Sequence, residues 1–425
     1  MMLKTDYPAL GEVLYTGTLP NGLTLRVIPK PGYQKISAVL ATAYGGADTR
    51  FYCDGQELVT PAGIAHYLEH KMFDLPEGDA LTEFDRRGAY ANAFTSASVT
   101  AYYFTCTDRF EENLRTLLRL VSTPYFTEES VNKERGIITQ EIQMELDDPD
   151  SCLYHSFTRA LFAHSPLRQS VAGTVDSIRE ITAQTLYDCH RVFYRPSNLV
   201  LSVVGDTDPE RVAALAQELL PPEPCERPVH CYGPDESPLP LTPFAEMRMP
   251  VSLPQFITGA KLSTVSDGAP TDRESALAGL TLRLLVGKSS PFFLRLYEQG
   301  LLNDTLDTSA AHSAGQSYVM FGGESRDPQA ALDALQAEIR AVASRGFAPD
   351  YFARQKKAAY GAAIRRLTAF ENLAVAVAAA ALQRCNPLDE PAELARLTAE
   401  DCREWLAQRL VPERFATALM LPQNR

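Results

Sequence analysis

The sequence predicts an α+β protein made of two similar α/β sandwich domains, each a mixed sheet covered by helices. Its 425 residues, 45% of them hydrophobic, are too many for a single core and enough for two or three domains. Strand patterns and helix patterns are mixed along the first half, which is typical of helices packed on a sheet. Short segments recur in the second half, which favours two copies of one fold.

The elements of the first half follow from hydrophobic periodicity and turn residues. Asn21-Gly22 supplies the positive φ of a tight hairpin, so the strands before and after it should pair. The predicted strands are two within Glu12–Val27, then Ile36–Tyr44, Ala91–Phe94, Val99–Thr107 and Asn198–Gly205. The predicted helices are one with Pro61 in its first turn, then Leu81–Arg87, Phe110–Ser122, Glu128–Leu146, Cys152–Phe162, Ala183–Phe193 and Pro209–Leu219.

Two pairs of matching segments indicate the repeat. In the first pair, a four-residue segment is followed twelve residues later by a proline that leads into an apolar strand. Ile181–Gln184, followed by Pro196, matches Leu397–Glu400, followed by Pro412. In the second pair, Phe84–Gly88 matches Leu296–Gly300. Prolines crowd the chain between the halves and periodicity is lost there, so we predict domains over 1–220 and 255–425, joined by a linker over 221–254.

Composition and charge restrict the possible functions. The net charge of −13 disfavours nucleic acid as a partner and is compatible with basic or unfolded peptides. The first residues lack the apolar core of a secretory signal, and the longest apolar run, Leu373–Leu382, is half the length of a membrane span. We therefore expect a soluble cytoplasmic protein that does not bind a membrane.

The eight cysteines contain no C-x-x-C pair, so we expect reduced thiols in a reducing compartment. Cys225 and Cys231, beside His230, come nearest to a metal-binding spacing, and a Cys/His knuckle there is the minor alternative. Because these residues lie in the proline-rich segment, we interpret them as ordinary thiols.

The motif with the clearest chemistry is His66-Tyr67-Leu68-Glu69-His70. On an α-helix, His66 and His70 lie roughly 40° apart and Glu69 about 60° to the other side of His66, so these side chains share one face. Two imidazoles one turn apart can bind one divalent ion, and the carboxylate then reaches the water on that ion. A helical histidine is often only a buried hydrogen-bonding residue, but among seven histidines this combination favours a metal site of the inverzincin type.

A catalytic zinc site needs a third protein ligand, which should be an acid or a histidine on an element packed against the motif helix. The predicted helix Glu128–Leu146 has an apolar stripe, with Glu134 and Glu141 two turns apart on its flank. Spacing alone leaves Glu134, Glu141 and Glu145 as alternatives, and each could equally be a solvated charge.

The second half contains no H-x-x-E-H motif. Its corresponding helix, Ser275–Val286, has the sequence SALAGLTLRLLV and is interpreted as core. We therefore assign the chemistry to the domain over 1–220 and expect the domain over 255–425 to serve shape, assembly or substrate holding.

Two motifs together resemble those of the pitrilysin/insulinase clan of zinc peptidases, which includes the mitochondrial processing peptidase. The H-x-x-E-H motif is followed about seventy residues later by Glu134-Arg135, and after five more residues by Glu141. The resemblance implies that Glu141 completes a site for one Zn²⁺ per chain with His66 and His70. It also implies that Glu134 supports this site.

The resemblance covers both halves, because clan members of this size contain two similar α/β domains that form one half-clamshell. It extends through Gly173-Thr174 and Pro196-Ser197-Asn198. The sequence EHKMF around His70 resembles that of a bacterial subgroup associated with elongation factor P modification or with peptide maturation.

The resemblance also implies an activity, the hydrolysis of flexible peptides or unstructured segments by a zinc endopeptidase. Glu69 would be the general base, and Glu134 would orient a ligand or the water. The segment Ala91–Thr95 resembles the clan's edge strand beside the metal, so Asn92 and Ala93 should hold an extended peptide by main-chain pairing.

One position departs from the clan's pattern. Its sites are usually completed by an Arg and, seven residues later, a Tyr from the C-terminal domain of the facing half or partner. Arg295 matches the Arg and should contact substrate, but Leu302 stands where the Tyr is expected. We therefore expect a dimer, specifically a heterodimer with a non-zinc paralogue that supplies the Tyr. Alternatively Tyr297 or Tyr318 substitutes for it, or the pair is dispensable.

Two other classes of function remain open. One is a scaffold subunit that has kept a metal helix, as relatives in respiratory complexes serve as scaffolds. The other is a peptide-binding or chaperone-like module that binds zinc and peptides without cleaving them. The set of His66, Glu69 and His70 favours the enzyme, because a scaffold has no physical need for Glu69. The ligand set also suits divalent ions other than zinc.

Overall fold

The computed structural model describes residues 2–222, 226–262 and 269–423. Contacts divide the chain into two compact units, each assembled from three separate segments. The first unit contains Met1–Ile142, Gln169–Tyr232 and Ile364–Leu388. The second unit contains Gln143–Arg168, Gly233–Ala363 and Asp389–Arg425. The domains predicted over 1–220 and 255–425 are continuous in sequence and do not include this exchange of segments.

Strands and helices occur in both units. The strands are β1 (Leu3–Tyr7), β2 (Glu12–Thr18), β3 (Thr24–Pro29), β4 (Ile36–Thr42), β5 (Arg50–Cys53), β6 (Gln56–Val59), β7 (Asp74–Leu75), β8 (Gly78–Asp79), β9 (Tyr90–Thr95), β10 (Thr100–Cys106), β11 (Leu199–Gly205), β12 (Val229–His230), β13 (Phe244–Met249), β14 (Gln255–Lys261), β15 (Asp307–Ser313), β16 (Gln316–Glu324) and β17 (Phe415–Pro422). The helices are α1 (Ile64–Lys71), α2 (Ala80–Arg86), α3 (Phe110–Ser122), α4 (Glu128–Asp147), α5 (Pro149–Leu161), α6 (Ala183–Phe193), α7 (Pro209–Leu219), α8 (Asp272–Val286), α9 (Pro291–Glu298), α10 (Pro328–Arg345), α11 (Pro349–Arg366), α12 (Phe370–Leu382), α13 (Glu390–Arg396) and α14 (Ala399–Arg409).

The main sheet of the first unit has the strand order β1-β2-β3-β11-β4-β10-β9. β11 runs parallel to β3, and the other neighbouring pairs are antiparallel. Side chains of β11 alternate between two cores. Leu201 and Val203 pack with α1, α3 and α6, whereas Val200 and Val204 pack with α12. Both faces of this sheet are therefore covered by helices, which explains the continuous apolar sequence of β11.

The sheet of the second unit has the order β13-β17-β14-β16-β15, with β13 parallel to β17. This is the arrangement of β3-β11-β4-β10-β9 in the first sheet. α5 packs on β13, β14 and β17, much as α12 packs on β4 and β11. The predicted α+β fold of two similar helix-covered sheets is therefore confirmed.

Some strands come from segments where none was predicted. β5 and β6 form a hairpin around Asp54-Gly55, both with positive φ, and β12 pairs with β5. Asp-Gly is a strong hairpin signal that could have predicted this turn. β12 and β13 lie inside the segment predicted as a linker over 221–254.

The structure bears on the alternative Cys/His knuckle and on the longest apolar run of the sequence. Cys225, part of the alternative Cys/His knuckle, lies outside the described residues, while Nδ1 of His230 is 2.6 Å from Oδ1 of the buried Asp48. The apolar run Leu373–Leu382 belongs to α12 and is covered by the first sheet. Within the described ranges, no helix combines the length and apolar character needed to cross a bilayer.

Candidate metal centre

The start of α1 is fixed by a close approach of two backbone segments. Gly63 caps the helix with φ of +91°, and a Cβ built there would lie 2.4 Å from the carbonyl oxygen of Ala172. Gly173 has φ of +76°, and a Cβ there would lie 2.4 Å from the carbonyl oxygen of Ala62. Both positions therefore require glycine. Oγ of Ser177 also donates a hydrogen bond of 2.8 Å to the carbonyl of Ala62.

Hydrogen bonds made by two side chains, Tyr67 and Arg135, hold α4 in place. The hydroxyl of the fully buried Tyr67, on α1, donates a hydrogen bond to the carbonyl oxygen of Val131 on α4. Arg135 of α4 donates from Nη2 to the carbonyl of Ile181 at 2.9 Å and from Nε to that of Ile178 at 3.3 Å. The Arg of the E-R-x₅-E motif thus anchors the helix that carries the two glutamates.

The structure brings His66, His70 and Glu141 together. Nε2 of His66 is 3.8 Å and Nε2 of His70 is 3.7 Å from Oε2 of Glu141. One ligand atom from each residue lies within 4.8 Å of the others. The Glu141 side chain is 40% exposed, whereas His66 and His70 are mostly buried, so the cluster opens to solvent on the Glu141 side.

This donor set fits zinc. Tetrahedral ligands at about 2.0–2.1 Å from one ion lie about 3.4 Å from each other. The separations of 3.7 and 3.8 Å to Oε2 of Glu141 exceed that value by a few tenths of an ångström, which small side-chain movements can close. Two imidazole nitrogens and one carboxylate oxygen form the set that catalytic zinc sites use, with the fourth position left for water.

Glu134 contacts His70 at the ring nitrogen that does not face Glu141. Its Oε1 lies 2.9 Å from Nδ1 of His70, and since a carboxylate accepts, Nδ1 of His70 carries the hydrogen. That tautomer leaves the lone pair of Nε2 directed at Glu141, the arrangement expected of a zinc-binding histidine with an outer carboxylate. The hydrogen bond lowers the pKa of Glu134. Burial alone would lower the pKa of His70, but Glu134, Glu141 and Glu69 together raise it.

Glu69 lies beside this cluster and is 8% exposed. Its Oε2 accepts a hydrogen bond of 2.7 Å from Oγ1 of Thr95, at the end of β9. Burial raises the pKa of Glu69, partly offset by Thr95. A carboxylate whose pKa is raised toward neutrality is better suited to accept a proton during catalysis. The sequence offered no reason to assign Thr95 a role, because a hydrogen bond between two elements that are distant in the chain leaves no local pattern.

The third acid left open by spacing has a different partner. Oε1 of Glu145 lies 2.8 Å from Nε2 of His155. Of the three glutamates considered, Glu141 therefore converges with the histidine pair, Glu134 contacts His70 from the side opposite Glu141, and Glu145 is engaged by His155.

Asn92 and Ala93 lie in β9, at the edge of the first sheet. Within the described part of the chain, β9 pairs with β10 on one side and has no strand on the other. The side chain of Asn92 contacts the Tyr90 hydroxyl at 3.1 Å and the Ala93 amide at 2.8 Å. Such an edge offers main-chain groups to an extended peptide.

Arg295 lies in α9 of the second unit. Its Nη2 is 3.4 Å from Oε2 of Glu338, and its guanidinium lies 5.8 Å from the ring centroid of Phe292. Leu302, seven residues later, is buried. The structure thus accounts for Arg295 through contacts within its own unit, and it gives Leu302 a place in the core.

Two family profiles and a full-length relative match this chain. Residues 56–175 match the profile described as Insulinase (Peptidase family M16), and residues 180–359 match that of the Peptidase M16 inactive domain. The uncharacterized zinc protease YmfH of Bacillus subtilis (strain 168) is 35% identical over 430 residues, covering 100% of both chains. The chain therefore belongs to the pitrilysin/insulinase family of zinc metallopeptidases.

Solved structures agree with this assignment. An M16-like peptidase from Alicyclobacillus acidocaldarius is 31% identical and matches with a TM-score of 0.92, over 99% of this chain and 100% of that one. A protease from Helicobacter pylori is 20% identical and matches with a TM-score of 0.83, over 96% and 99% of the two chains. The second likeness shows the fold alone. The resemblance drawn from the two sequence motifs is confirmed.

Proposed function

We propose that this chain is a zinc-dependent endopeptidase of the inverzincin type that hydrolyses flexible peptides or unstructured segments. The observation that carries the proposal is the convergence of His66, His70 and Glu141 within 4.8 Å of one another, beside the buried carboxylate of Glu69. Neutral imidazoles and an ionised carboxylate at such distances can offer their lone pairs to one cation placed between them. The zinc named in the homologous protease is the ion that this donor set suits.

His66, His70 and Glu141 would hold the ion through Nε2, Nε2 and Oε2. Zinc supplies Lewis acidity and brings the pKa of a water in its open position toward neutrality. Oε1 of Glu69, the oxygen that Thr95 does not occupy, would accept a proton from that water and deliver it to the nitrogen of the leaving amine. Glu134 would keep His70 in the tautomer that directs Nε2 to the ion.

The edge of β9 supports peptides as the substrate class. Main-chain groups of Asn92 and Ala93 would pair with an extended peptide, adding a strand to the first sheet. Pairing of this kind needs a segment that can become fully extended, which favours flexible peptides over folded proteins.

We further propose that the active form is a heterodimer with a non-zinc paralogue. Leu302 is buried and has no hydroxyl, and the hydroxyl of Tyr318 is engaged with that of Tyr154 at 3.0 Å. Tyr297 is 53% exposed, so its side chain is accessible and is the candidate substitute within this chain. Size-exclusion chromatography and peptide-cleavage assays on the chain purified alone test this proposal. Robust turnover by the lone chain contradicts the heterodimer, and loss of that turnover in Tyr297→Phe would assign the hydroxyl to Tyr297.

The decisive test combines metal analysis with one substitution. The purified chain should contain about one zinc ion, and Glu69→Gln should keep that zinc while cleavage of an unstructured peptide falls about 10²- to 10⁴-fold. Glu129→Gln, which changes an exposed acid in the first turn of α4, is the matched control and should cleave normally.

Each alternative function predicts a different result. A scaffold subunit predicts zinc content near zero in protein prepared without chelator. A peptide-binding module predicts zinc and peptide binding, with no cleavage by the wild-type chain or by its heterodimer. A Glu69→Gln variant that keeps most of the activity would remove Glu69 from the role of general base.

A further inference from the structure

We propose that Thr95 is a positioning residue that sets the orientation of the Glu69 carboxylate. The inference rests on the proposed function, in which Glu69 is the general base. A hydrogen bond of 2.7 Å from Oγ1 of Thr95 to Oε2 of Glu69 carries it. Because Glu69 is buried, its carboxylate has lost most of the water that would otherwise solvate it, and this hydrogen bond replaces part of that solvation.

Among the described residues, Thr95 performs this task without a second donor. Across the ranges that the structure describes, Thr95 is the one group that donates a hydrogen bond to the Glu69 carboxylate. The phenols of Tyr102 and Tyr194 lie near enough to interact electrostatically with Glu69, but their hydroxyls bond to each other at 2.7 Å. The direction of the carboxylate therefore depends on one hydroxyl.

The direction of that hydroxyl is itself fixed. Thr95 is the last residue of β9 and lies opposite Thr100 of β10. Oγ1 of Thr100 is 2.9 Å from the carbonyl oxygen of Tyr44 and 3.3 Å from Oγ1 of Thr95. Thr100 has a single hydroxyl proton and donates it over the shorter distance to the Tyr44 carbonyl. Because the Glu69 carboxylate can only accept, the hydroxyl proton of Thr95 is donated to Glu69. A β-branched side chain in a strand also has few allowed rotamers.

Fixing Oε2 of Glu69 fixes the plane of the carboxylate and leaves Oε1 available for proton transfer. A general base must be within hydrogen-bond reach of the proton it takes, so its geometry matters before its pKa does. Thr95 ends the strand whose Asn92 and Ala93 are proposed to hold the peptide. One strand would then align the substrate at its middle and the base at its end, so that a peptide paired to β9 lies in register with Glu69.

Removing only the hydroxyl tests this role kinetically. Thr95→Val keeps the shape of the side chain, and we expect kcat to fall about ten- to a hundredfold, the effect of losing one hydrogen bond to a charged group. The zinc content should stay at one per chain, and KM should change by less than about threefold because peptide pairing is retained. Thr95→Ser restores the hydroxyl and should recover most of kcat.

A matched control is available in the same sheet. Oγ1 of Thr105, on β10, donates a hydrogen bond of 3.0 Å to Oε2 of Glu371. Thr105→Val therefore removes the same kind of threonine-to-glutamate hydrogen bond at a position five residue pairs along the β9/β10 ladder from Thr95. It should cleave at the wild-type rate. A fall in kcat equal to that of Thr95→Val would show a general effect on the sheet and would overturn the proposal.

A structural readout that does not depend on activity completes the test. Crystal structures of the metal-free wild type and of Thr95→Ser should place a Glu69 oxygen within hydrogen-bond distance of residue 95. The carboxylate should rotate away or occupy several orientations in Thr95→Val. An unchanged Glu69 carboxylate in Thr95→Val would overturn the positioning role.

These readouts separate the two proposals. If the wild type never cleaves a peptide, alone or with its partner, the proposed function fails and the crystal structures still decide the role of Thr95. If the wild type cleaves and Thr95→Val keeps its kcat, the proposed function stands and the role of Thr95 is refuted.

Discussion

Five strands of the first sheet have the same arrangement as the five strands of the second. The clearest difference between the units lies where the helix that follows β4 or β14 meets a later helix. In the first unit these helices are α1 and α4, and in the second they are α8 and α11. Among the described residues, a His/Cys/Asp/Glu group able to hold a metal occurs only between α1 and α4. Architecture is shared, so the chemistry is decided by side chains.

At the second of these places, donors meet acceptors directly. Nε of Arg283 donates to Oε1 of Gln355 at 3.1 Å, and Nε2 of Gln355 donates to Oγ of Ser289 at 2.8 Å. The hydroxyl of Tyr351 donates to the carbonyl of Leu284 at 3.0 Å. These groups satisfy one another and need no ligand.

At the first place, atoms that can bind a metal face one another. Nε2 of His66 and Nε2 of His70 both point toward Oε2 of Glu141, at 3.8 and 3.7 Å. With the His70 hydrogen on Nδ1, Nε2 of His70 and Oε2 of Glu141 both present lone pairs, and a proton or a metal ion is needed to join them. The polar groups between two such helices can therefore be satisfied by hydrogen bonds to one another, as in the second unit, or can be available to bind a cation, as in the first.

The largest effect is expected from removing a ligand. Glu141→Ala should lower zinc affinity by more than the about 10- to 100-fold loss that follows removal of an outer partner, because one of three direct contacts disappears. Gln355→Ala, at the corresponding place in the second unit, should leave zinc affinity unchanged. Competition with a chelating dye measures both. Equal zinc affinities in the two variants would contradict the contrast between the two helix pairs.

A smaller effect is expected from Glu134. Glu134→Gln should weaken zinc binding by about 10- to 100-fold, because His70 loses the anion that fixes its tautomer. Glu145→Gln alters the same helix but contacts His155 instead, so it should bind zinc as the wild type does. A similar loss in both variants would mean that charge on α4, and not the contact with His70, controls the metal.

Zinc affinity should also depend on pH through His70. Burial lowers its pKa, but Glu134, Glu141 and Glu69 outweigh burial and raise it above the ordinary value. A protonated imidazole cannot bind metal, so affinity should fall as the pH falls through this raised pKa. In Glu134→Gln the pKa should drop, and the fall in affinity should move to lower pH. Zinc titrations between about pH 5 and 8 check this, and an unmoved midpoint would contradict it.

The smallest effects concern how the two helices begin. Gly63→Ala should destabilise the first unit by about 1–3 kcal/mol, because φ is +91° and the new Cβ would meet the Ala172 carbonyl. α8 begins instead with a capping box formed by Thr271 and Glu274, so Thr271→Ala should cost about 1 kcal/mol. Urea unfolding measures both. A Gly63→Ala variant as stable as the wild type would mean that the backbone approach can relax.

Much of the fold could be predicted from local patterns. α3, α6 and α7 begin and end at the predicted residues, because each has a regular apolar face. The repeat was also visible, since Thr182 and Thr398 each form a capping box that starts the helix before the last strand of its sheet. Other elements were missed. β1 is mostly exposed and therefore lacks an apolar alternation.

The exchange of segments could not be read from the sequence at all. α12 lies in the chain between α11 and α13, which belong to the second unit, but it packs on the first sheet, and α5 packs on the second. An amphipathic or apolar helix records that it has a buried face, not which sheet buries it.

Helical periodicity was enough to predict that His66, Glu69 and His70 share one face, because residues at positions i, i+3 and i+4 of a helix point to the same side. Local spacing left three glutamates open, the resemblance to the clan pointed to Glu141, and the packing of α4 against α1 shows Glu141 beside both histidines. Spacing along α4 is the same however α4 crosses α1, and that crossing is set by contacts between distant residues, among them the hydrogen bond from Tyr67 to Val131.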